Sequence, residues 1–318
     1  MADDKKKLIG IGAVSFLSAI LVARYLHKQL AILHLRHQIK TKWVGNEAFD
    51  QIKLIGRIQL ELDKYKPMKF YYKIKAPEEY KVVRRVFDPF TEDNSRAMFI
   101  THLSPTHNLI FNKYWVSPYH VLIITKEFVV QNTPLTFEDF VETLKVMKAL
   151  KGFAFFNSGP KAGASQTHKH IQAIPYNSYP NSKIPIDVLI GDKKGEYFSL
   201  PQFKFQHLFF QFNKQTMKQI TRNKFKEVAS TLQEIYKTCL KKLNNEDLAK
   251  EYNIILTNRW LVMVLRSAEL TEHKIKINAM GFTGSFLIDQ KEVPKLISED
   301  PFSILAQVSY PLHHLHPY

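Results

Sequence analysis

His168, His170 and Gln172 occupy alternate positions in QTHKHIQAI (166–174), and in an extended strand alternate side chains project from one face. Two imidazoles and a carboxamide would then stand in a row, with Lys169, Ile171 and Ala173 on the opposite face. A neutral imidazole is a nucleophile near pH 7, and a carboxamide donates hydrogen bonds without changing charge. Just upstream, Asn157-Ser158-Gly159-Pro160 and Gly163-Ala164-Ser165-Gln166 read as a loop. Its glycines tolerate the φ values that turn successive backbone N–H groups toward an anion. Together these features read as a phosphate cradle beside candidate nucleophiles, and the chemistry as phosphoryl transfer. Spacing alone leaves two other readings open: half of a metal site, or polar residues satisfied within the structure. A metal site needs further ligands and no cysteine or acidic residue lies near in sequence, so we assign no metal and no cofactor.

The surrounding pattern supplies elements to hold these residues. A charged stretch read as helical runs to about residue 66, and MKFYYKIKA (68–76) then alternates as a strand. HNLIFNK (107–113) and HVLIIT (120–125) form a strand pair joined by YWVSPY. Thr136 is a good N-cap, with Glu138 and Asp139 in the first turn, for a helix to Leu150. FAFFN (153–157) is a short buried strand, the glycine loop follows, and residues 168–175 form the strand that leaves it. Residues 222–243 are an amphipathic helix, and YNIILT and WLVMVLR make a hairpin around Asn258-Arg259, followed by KIKIN and SFLID strands. Strands grouped apart from helices point to an α+β fold with a mainly antiparallel sheet flanked by helices.

The run Asn157-Ser158-Gly159-Pro160-x-x-Gly163-Ala164-Ser165-Gln166-x-His168-Lys169-His170-x-Gln172 resembles the signature of the diadenosine tetraphosphate phosphorylase / ATP adenylyltransferase family. Members of that family are histidine-triad-like, related to galactose-1-phosphate uridylyltransferase. Asp88-Pro89-Phe90, residues 107–128, LTFEDF, residues 252–267 and INAMGFTG (277–284) are similar to further parts of the family. The resemblance implies a histidine-triad-like fold and a double displacement. His170 attacks the α-phosphorus, and inorganic phosphate captures the nucleotidyl-imidazole to release ADP. Gln172, in the place of a third histidine, hydrogen-bonds the phosphoryl oxygens, and His168 orients the strand and loop. Asn157, Gly159, Gly163, Ala164, Ser165 and Gln166 hold phosphate, and Asn112 belongs to the nucleoside pocket wall. The implied partners are a nucleotide or dinucleoside polyphosphate and inorganic phosphate. Leu265-Arg266 departs from the family's usual Pro-Arg, the segment before Asp88 is short, and Lys161 adds a charge to the loop.

The remaining features concern location. The formal charge of +16 suits polyanions, but the basic residues are scattered rather than gathered in a stripe, which argues against nucleic acid. The single cysteine, Cys239, allows no internal disulfide. Residues 8–23 (LIGIGAVSFLSAILVA) are uncharged, bracketed by Lys7 and Arg24, and read as a single-pass transmembrane helix with snorkelling basic flanks. Residues 1–45 are accordingly taken as an anchor with a basic helical extension, and 46–318 as the phosphorylase-like domain. His313, His314 and His316 are read as a packed or solvated tail. Two functions fit: a membrane-anchored nucleotidyl transferase, or a non-catalytic accessory subunit among other subunits of a membrane complex such as a respiratory-chain assembly. The expected site is the mitochondrial inner membrane.

Overall fold

The computed structural model describes residues 22–24, 26–43, 58–62, 68, 70–74, 88–288 and 299–312. Helix α1 (26–43) comes first, then strands β1 (Ile58–Leu62) and β2 (Phe70–Ile74) and the short helix α2 (Glu92–Ser95). Strands β3 (Phe99–His102), β4 (His107–Phe111) and β5 (Val121–Thr125) lead into helix α3 (Phe137–Leu150). Next are β6 (Gly152–Asn157), β7 (His170–Pro175), helix α4 (Asp187–Ile190), β8 (Tyr197–Phe198) and β9 (His207–Gln211). Helices α5 (Lys214–Thr221) and α6 (Phe225–Lys242), hairpin β10 (Glu251–Leu256) and β11 (Trp260–Arg266), β12 (Ser285–Ile288) and helix α7 (Pro301–Gln307) complete the order.

Nine strands form one sheet in the order β3-β4-β5-β7-β6-β10-β11-β9-β8, and every pairing in it is antiparallel. A second sheet joins β1, β2 and β12. The helical reading to residue 66 fails at β1, whose IQLEL alternates with period two and pairs with β2. KIKIN contributes one isolated bridge, Leu270 with Lys276, instead of a strand.

The large sheet lies between two apolar layers. On one face Ile123, Ala154, Phe156, Ile171, Ala173 and Ile254 pack with Phe140 and Leu144 of α3 and Leu232 and Tyr236 of α6. On the other, Phe153, Phe155, Phe209 and Trp260 pack with Phe282, Phe286, Ile304 and Leu305. Helix α1 belongs to the first layer, with Ile32, Leu35 and Ile39 buried in the same cluster. Its Arg36 donates to the Ala149 and Lys148 carbonyls at 2.8 and 3.2 Å, where the α3 C-terminus concentrates negative charge. The helical extension therefore packs on the body across the division drawn at residue 45. Residues 8–21 of the expected anchor and the tail histidines lie outside the described residues. Among the described residues no helix is long and apolar enough to cross a membrane.

A charged knot ties α3 to β7. Thr136 and Asp139 form a reciprocal cap: the Thr136 hydroxyl accepts from the Asp139 N–H and Asp139 Oδ2 accepts from the Thr136 N–H. Asp139 also accepts from His107 Nε2 at 2.9 Å and from Lys169 Nζ, which donates again to the Pro134 carbonyl at 2.8 Å. Burial would raise the Asp139 carboxyl, but the bonds from His107 and Lys169 outweigh it and hold the acid below its usual range. Asp139→Ala leaves a buried ammonium unpaired and should cost about 3–5 kcal/mol. Denaturant titration at pH 7 checks this, and unchanged stability would contradict it. Because the folded acid is the stronger one, the wild type's advantage is complete above the ordinary Asp value of 3.8 and shrinks as pH falls below it.

Candidate active site

The extended run 168–172 that enters β7 divides its side chains as alternation requires. Lys169 goes to the α3 face, and His168, His170 and Gln172 go to the other. His170 is 4% exposed. Its Nδ1–H donates to the His168 carbonyl at 2.9 Å, which leaves the lone pair on Nε2. Burial lowers this imidazole to about 4, with the His168 carbonyl pulling back upward, so His170 is neutral at physiological pH. Its Nε2 has no hydrogen-bond partner among the described residues.

His207 on β9 is an internal control. It also donates from Nδ1 to the carbonyl two residues earlier, Phe205, at 2.7 Å, and burial lowers it too to about 4. Its Nε2, however, accepts from the Leu200 N–H at 2.8 Å, so that lone pair is occupied. His168 has no free nitrogen either: Nδ1 meets Asp88 Oδ2 at 2.7 Å and Nε2 meets the Thr125 carbonyl at 2.9 Å. Its part is to tie Asp88 to the strand. Phe90 stands edge-on to both rings, at 5.6 Å from His168 and 5.3 Å from His170, and covers them.

The pairing of β6 with β7 stops at Phe155 and Gln172. Beyond it a side chain takes over the ladder. Gln131 Oε1 accepts from the His170 N–H at 2.8 Å, and Gln131 Nε2 donates to the Asn157 carbonyl at 2.6 Å. Gln131 is buried and gave no signal in sequence, since its partners lie 26 and 39 residues away.

The loop keeps much of its backbone to itself. Gly163 N–H donates to the Pro160 carbonyl, Ala164 N–H to that of Gly159, and Ala162 N–H to Glu251 Oε2, each at 2.9 Å. These bonds turn the amides of Ala162, Gly163 and Ala164 inward, which departs from a cradle built on Gly163 and Ala164. A Cβ on Gly159 would lie 2.5 Å from Glu251 Cδ and would push that side chain off the Ala162 N–H. Gly163 has φ +90° and would place a Cβ 2.8 Å from Asn278 Cβ. Ser165 reaches solvent and Gln166 is half-buried. Asn157 is 1% exposed, and its Oδ1 accepts from Asn253 Nδ2 at 2.8 Å and from the Ala279 N–H at 3.0 Å. Its Nδ2 is buried without a partner, an unspent donor in the residue that opens the loop.

Gln172 Oε1 accepts from His120 Nε2 at 2.9 Å, while the Gln172 amide nitrogen has no partner among the described residues. Asn112, expected at the nucleoside wall, lies beside His120, and its Oδ1 accepts from the Tyr114 N–H at 2.9 Å. Among the described residues no group of three or more metal-ligating side chains occurs. Asp88, His120 and Arg266 lay within segments recognised in the sequence but not with the partners they have here, and Gln131 lay outside those segments and carried no spacing signal.

Comparison with known proteins agrees with this architecture. The fold is that of yeast Ap4A phosphorylase Apa2: its structure in complex with AMP superposes with a TM-score of 0.72 at 24% identity, over 87% of this chain and 97% of that one. The same enzyme in complex with Ap4A gives 0.70 at 23%, over 87% and 97%. Residues 38–192 match the Ap4A phosphorylase N-terminal domain and residues 201–311 the ATP adenylyltransferase C-terminal domain, consecutive halves that together cover most of the chain. The chain belongs to the Ap4A phosphorylase and ATP adenylyltransferase family. It is 28% identical to diadenosine 5',5'''-P1,P4-tetraphosphate phosphorylase 2 of Saccharomyces cerevisiae over 255 residues, 70% of this chain and 76% of the relative.

The His170 environment has a measurable consequence. Unfolded, the imidazole takes up its proton near 6.5, and folded only near 4. Stability therefore falls as pH drops through that window, by on the order of 3 kcal/mol for this group. His170→Gln should flatten the decline between pH 6.5 and 4.5 in denaturant titrations, and an unaltered slope would refute the buried neutral imidazole.

Proposed function

We propose that this protein is an adenylyl transferase acting on diadenosine polyphosphates through a nucleotidyl-His170 intermediate, with inorganic phosphate as acceptor. The observation that carries the reading is the free Nε2 of His170, set against the occupied Nε2 of the otherwise similar His207. The substrate class follows the relatives, a diadenosine tetraphosphate phosphorylase and Apa2 in complex with Ap4A.

The Nε2 lone pair attacks the α-phosphorus, an N–P bond forms, and the P–O bond to the remaining nucleotide breaks, so for diadenosine tetraphosphate ATP departs. Phosphate oxygen then attacks the same phosphorus, the N–P bond breaks, ADP leaves, and His170 recovers its lone pair. Neither half requires a proton at neutral pH, because entering and leaving groups are phosphates, and this suits an amide at position 172. While the intermediate lasts, the imidazolium keeps its Nδ1–H on the His168 carbonyl. Gln172 Nε2, Asn157 Nδ2 and Ser165 are the donors offered to the phosphoryl oxygens. Access to a 4% exposed ring requires the Phe90 segment to yield.

Incubation with diadenosine tetraphosphate and no phosphate should trap an acid-labile adenylyl group on His170. His170→Ala abolishes it, and Gln172→Ala slows it by about 10²–10³-fold, the loss of one stabilising donor. A folded wild-type protein that neither labels nor binds nucleotide would overturn the reading.

We further propose that residues 8–23 anchor the domain in a membrane. Helix α1 and the helical residues 22–24 before it support this: Val22, Leu26, Leu30 and Leu33 are exposed on the side away from buried Ile32, Leu35 and Ile39, and residues 22–43 carry no acidic side chain. The intact protein should remain with membranes in alkaline carbonate and leave them only with detergent. Its release by carbonate alone would count against a spanning anchor.

A further inference from the structure

We propose that His120 is a positioning residue for this transfer, deciding which end of the Gln172 amide meets the phosphoryl group. The proposal rests on the transferase reading. A carboxamide has a donor end and an acceptor end of almost equal shape. Turned one way, Gln172 offers N–H groups to phosphoryl oxygens, and turned the other it opposes them with a carbonyl oxygen. A residue used in place of a protonatable one has no charge to enforce the choice, so something beside it must.

The structure supplies a chain of fixed hydrogen-bond roles. The Val116 backbone N–H can only donate, and it lies 3.4 Å from His120 Nδ1, which makes that nitrogen the acceptor. The ring proton then sits on Nε2, which is 2.9 Å from Gln172 Oε1. Reversing the Gln172 amide would set N–H against N–H and lose this bond. With Oε1 held, the Gln172 NH2 is the end left for substrate, on the strand face shared with His170. His120 is 2% exposed, and Asn112 Nδ2, 3.4 Å from Nδ1 and 3.3 Å from Nε2, can donate only to Nδ1 in this tautomer, which adds a second donor to the accepting nitrogen. The preceding Tyr119 has φ +62°, a left-handed conformation that is unfavourable for a residue with a side chain. That turn carries the chain into β5, and the Tyr119 ring rests 4.9 Å from Trp43.

The test is a double-mutant cycle read as the single-turnover rate of His170 adenylylation at saturating diadenosine tetraphosphate. His120→Phe keeps a planar ring beside Phe155 but cannot donate. It should lower the rate by about 10–100-fold, a fraction of the effect of losing the stabilising donor itself, with little change in half-saturating substrate. The variant His120→Phe/Gln172→Ala should be no slower than Gln172→Ala alone, because His120 acts only through Gln172. His120→Gln restores a donor and should recover most of the rate, and His120→Leu, which cannot donate either, serves in place of His120→Phe if that variant does not fold. Side-chain 15N spectra of the wild type should place the ring proton on Nε2. Multiplying losses in the double variant, or a proton on Nδ1, would overturn the proposal. A wild type that fails to label sinks the transferase reading instead, and the tautomer measurement still decides the orientation of Gln172.

Discussion

The Arg266 guanidinium is the contact on which the site's geometry depends. It is fully buried, and all five of its N–H groups are spent. Nε donates to the Val308 carbonyl, Nη1 to Asn253 Oδ1 and, at 3.4 Å, to the Ala162 carbonyl, and Nη2 to the carbonyls of Ala268 and Ile277. Among the described residues no carboxylate is paired with it, and burial lowers it to about 9, partly countered by Glu251 and Glu269, which still leaves it charged at neutral pH. A buried cation is tolerable only with its donors matched, and here backbone and amide oxygens do the matching. Those oxygens come from β10, the glycine loop, the segment before β12 and the end of α7. Asn253 extends the tie by donating to Asn157 Oδ1 and the Ala162 carbonyl. The second half of the chain thereby holds the loop that precedes His170.

Strand β7 is fixed from both faces as well as along its length. Below, Lys169 reaches Asp139 at the start of α3, and above, His168 reaches Asp88. Between them the Gln131 amide substitutes for ladder bonds where β6 and β7 part. Any slip by one residue would carry Lys169 to the site and the imidazoles into the α3 layer, exchanging matched buried groups for unmatched ones. Register is thus held by polar contacts beyond apolar alternation, which keeps the His170 ring placed to within a hydrogen bond's tolerance.

His170 and His207 show that burial alone does not decide whether a ring nitrogen is left open. Both are desolvated, both are neutral, and both bond the carbonyl two residues back. A perturbed imidazole therefore identifies no function by itself. What differs is the second nitrogen, closed by the Leu200 N–H in one case and open in the other.

The sequence by itself determined the pieces whose physics is local. Alternation along 168–173 set opposite faces for the imidazoles and Lys169, Thr136 and Asp139 announced the start of α3, and Gly159 and Gly163 marked the loop. The family signature lay in one short run and needed no fold to be recognised. Tertiary structure decided the rest, because the deciding partners are far apart in the chain. Nothing at Gln131 foretells that it will replace a ladder bond, nothing at Arg266 that five oxygens will surround it, and nothing at His120 that it will meet Gln172, 52 residues on. It also decided which glycine-loop amides turn inward, since Glu251 arrives from another strand to take the Ala162 N–H. Local periodicity specifies which face a side chain takes, whereas hydrogen-bond partners across a sheet follow from strand order, which no short stretch encodes.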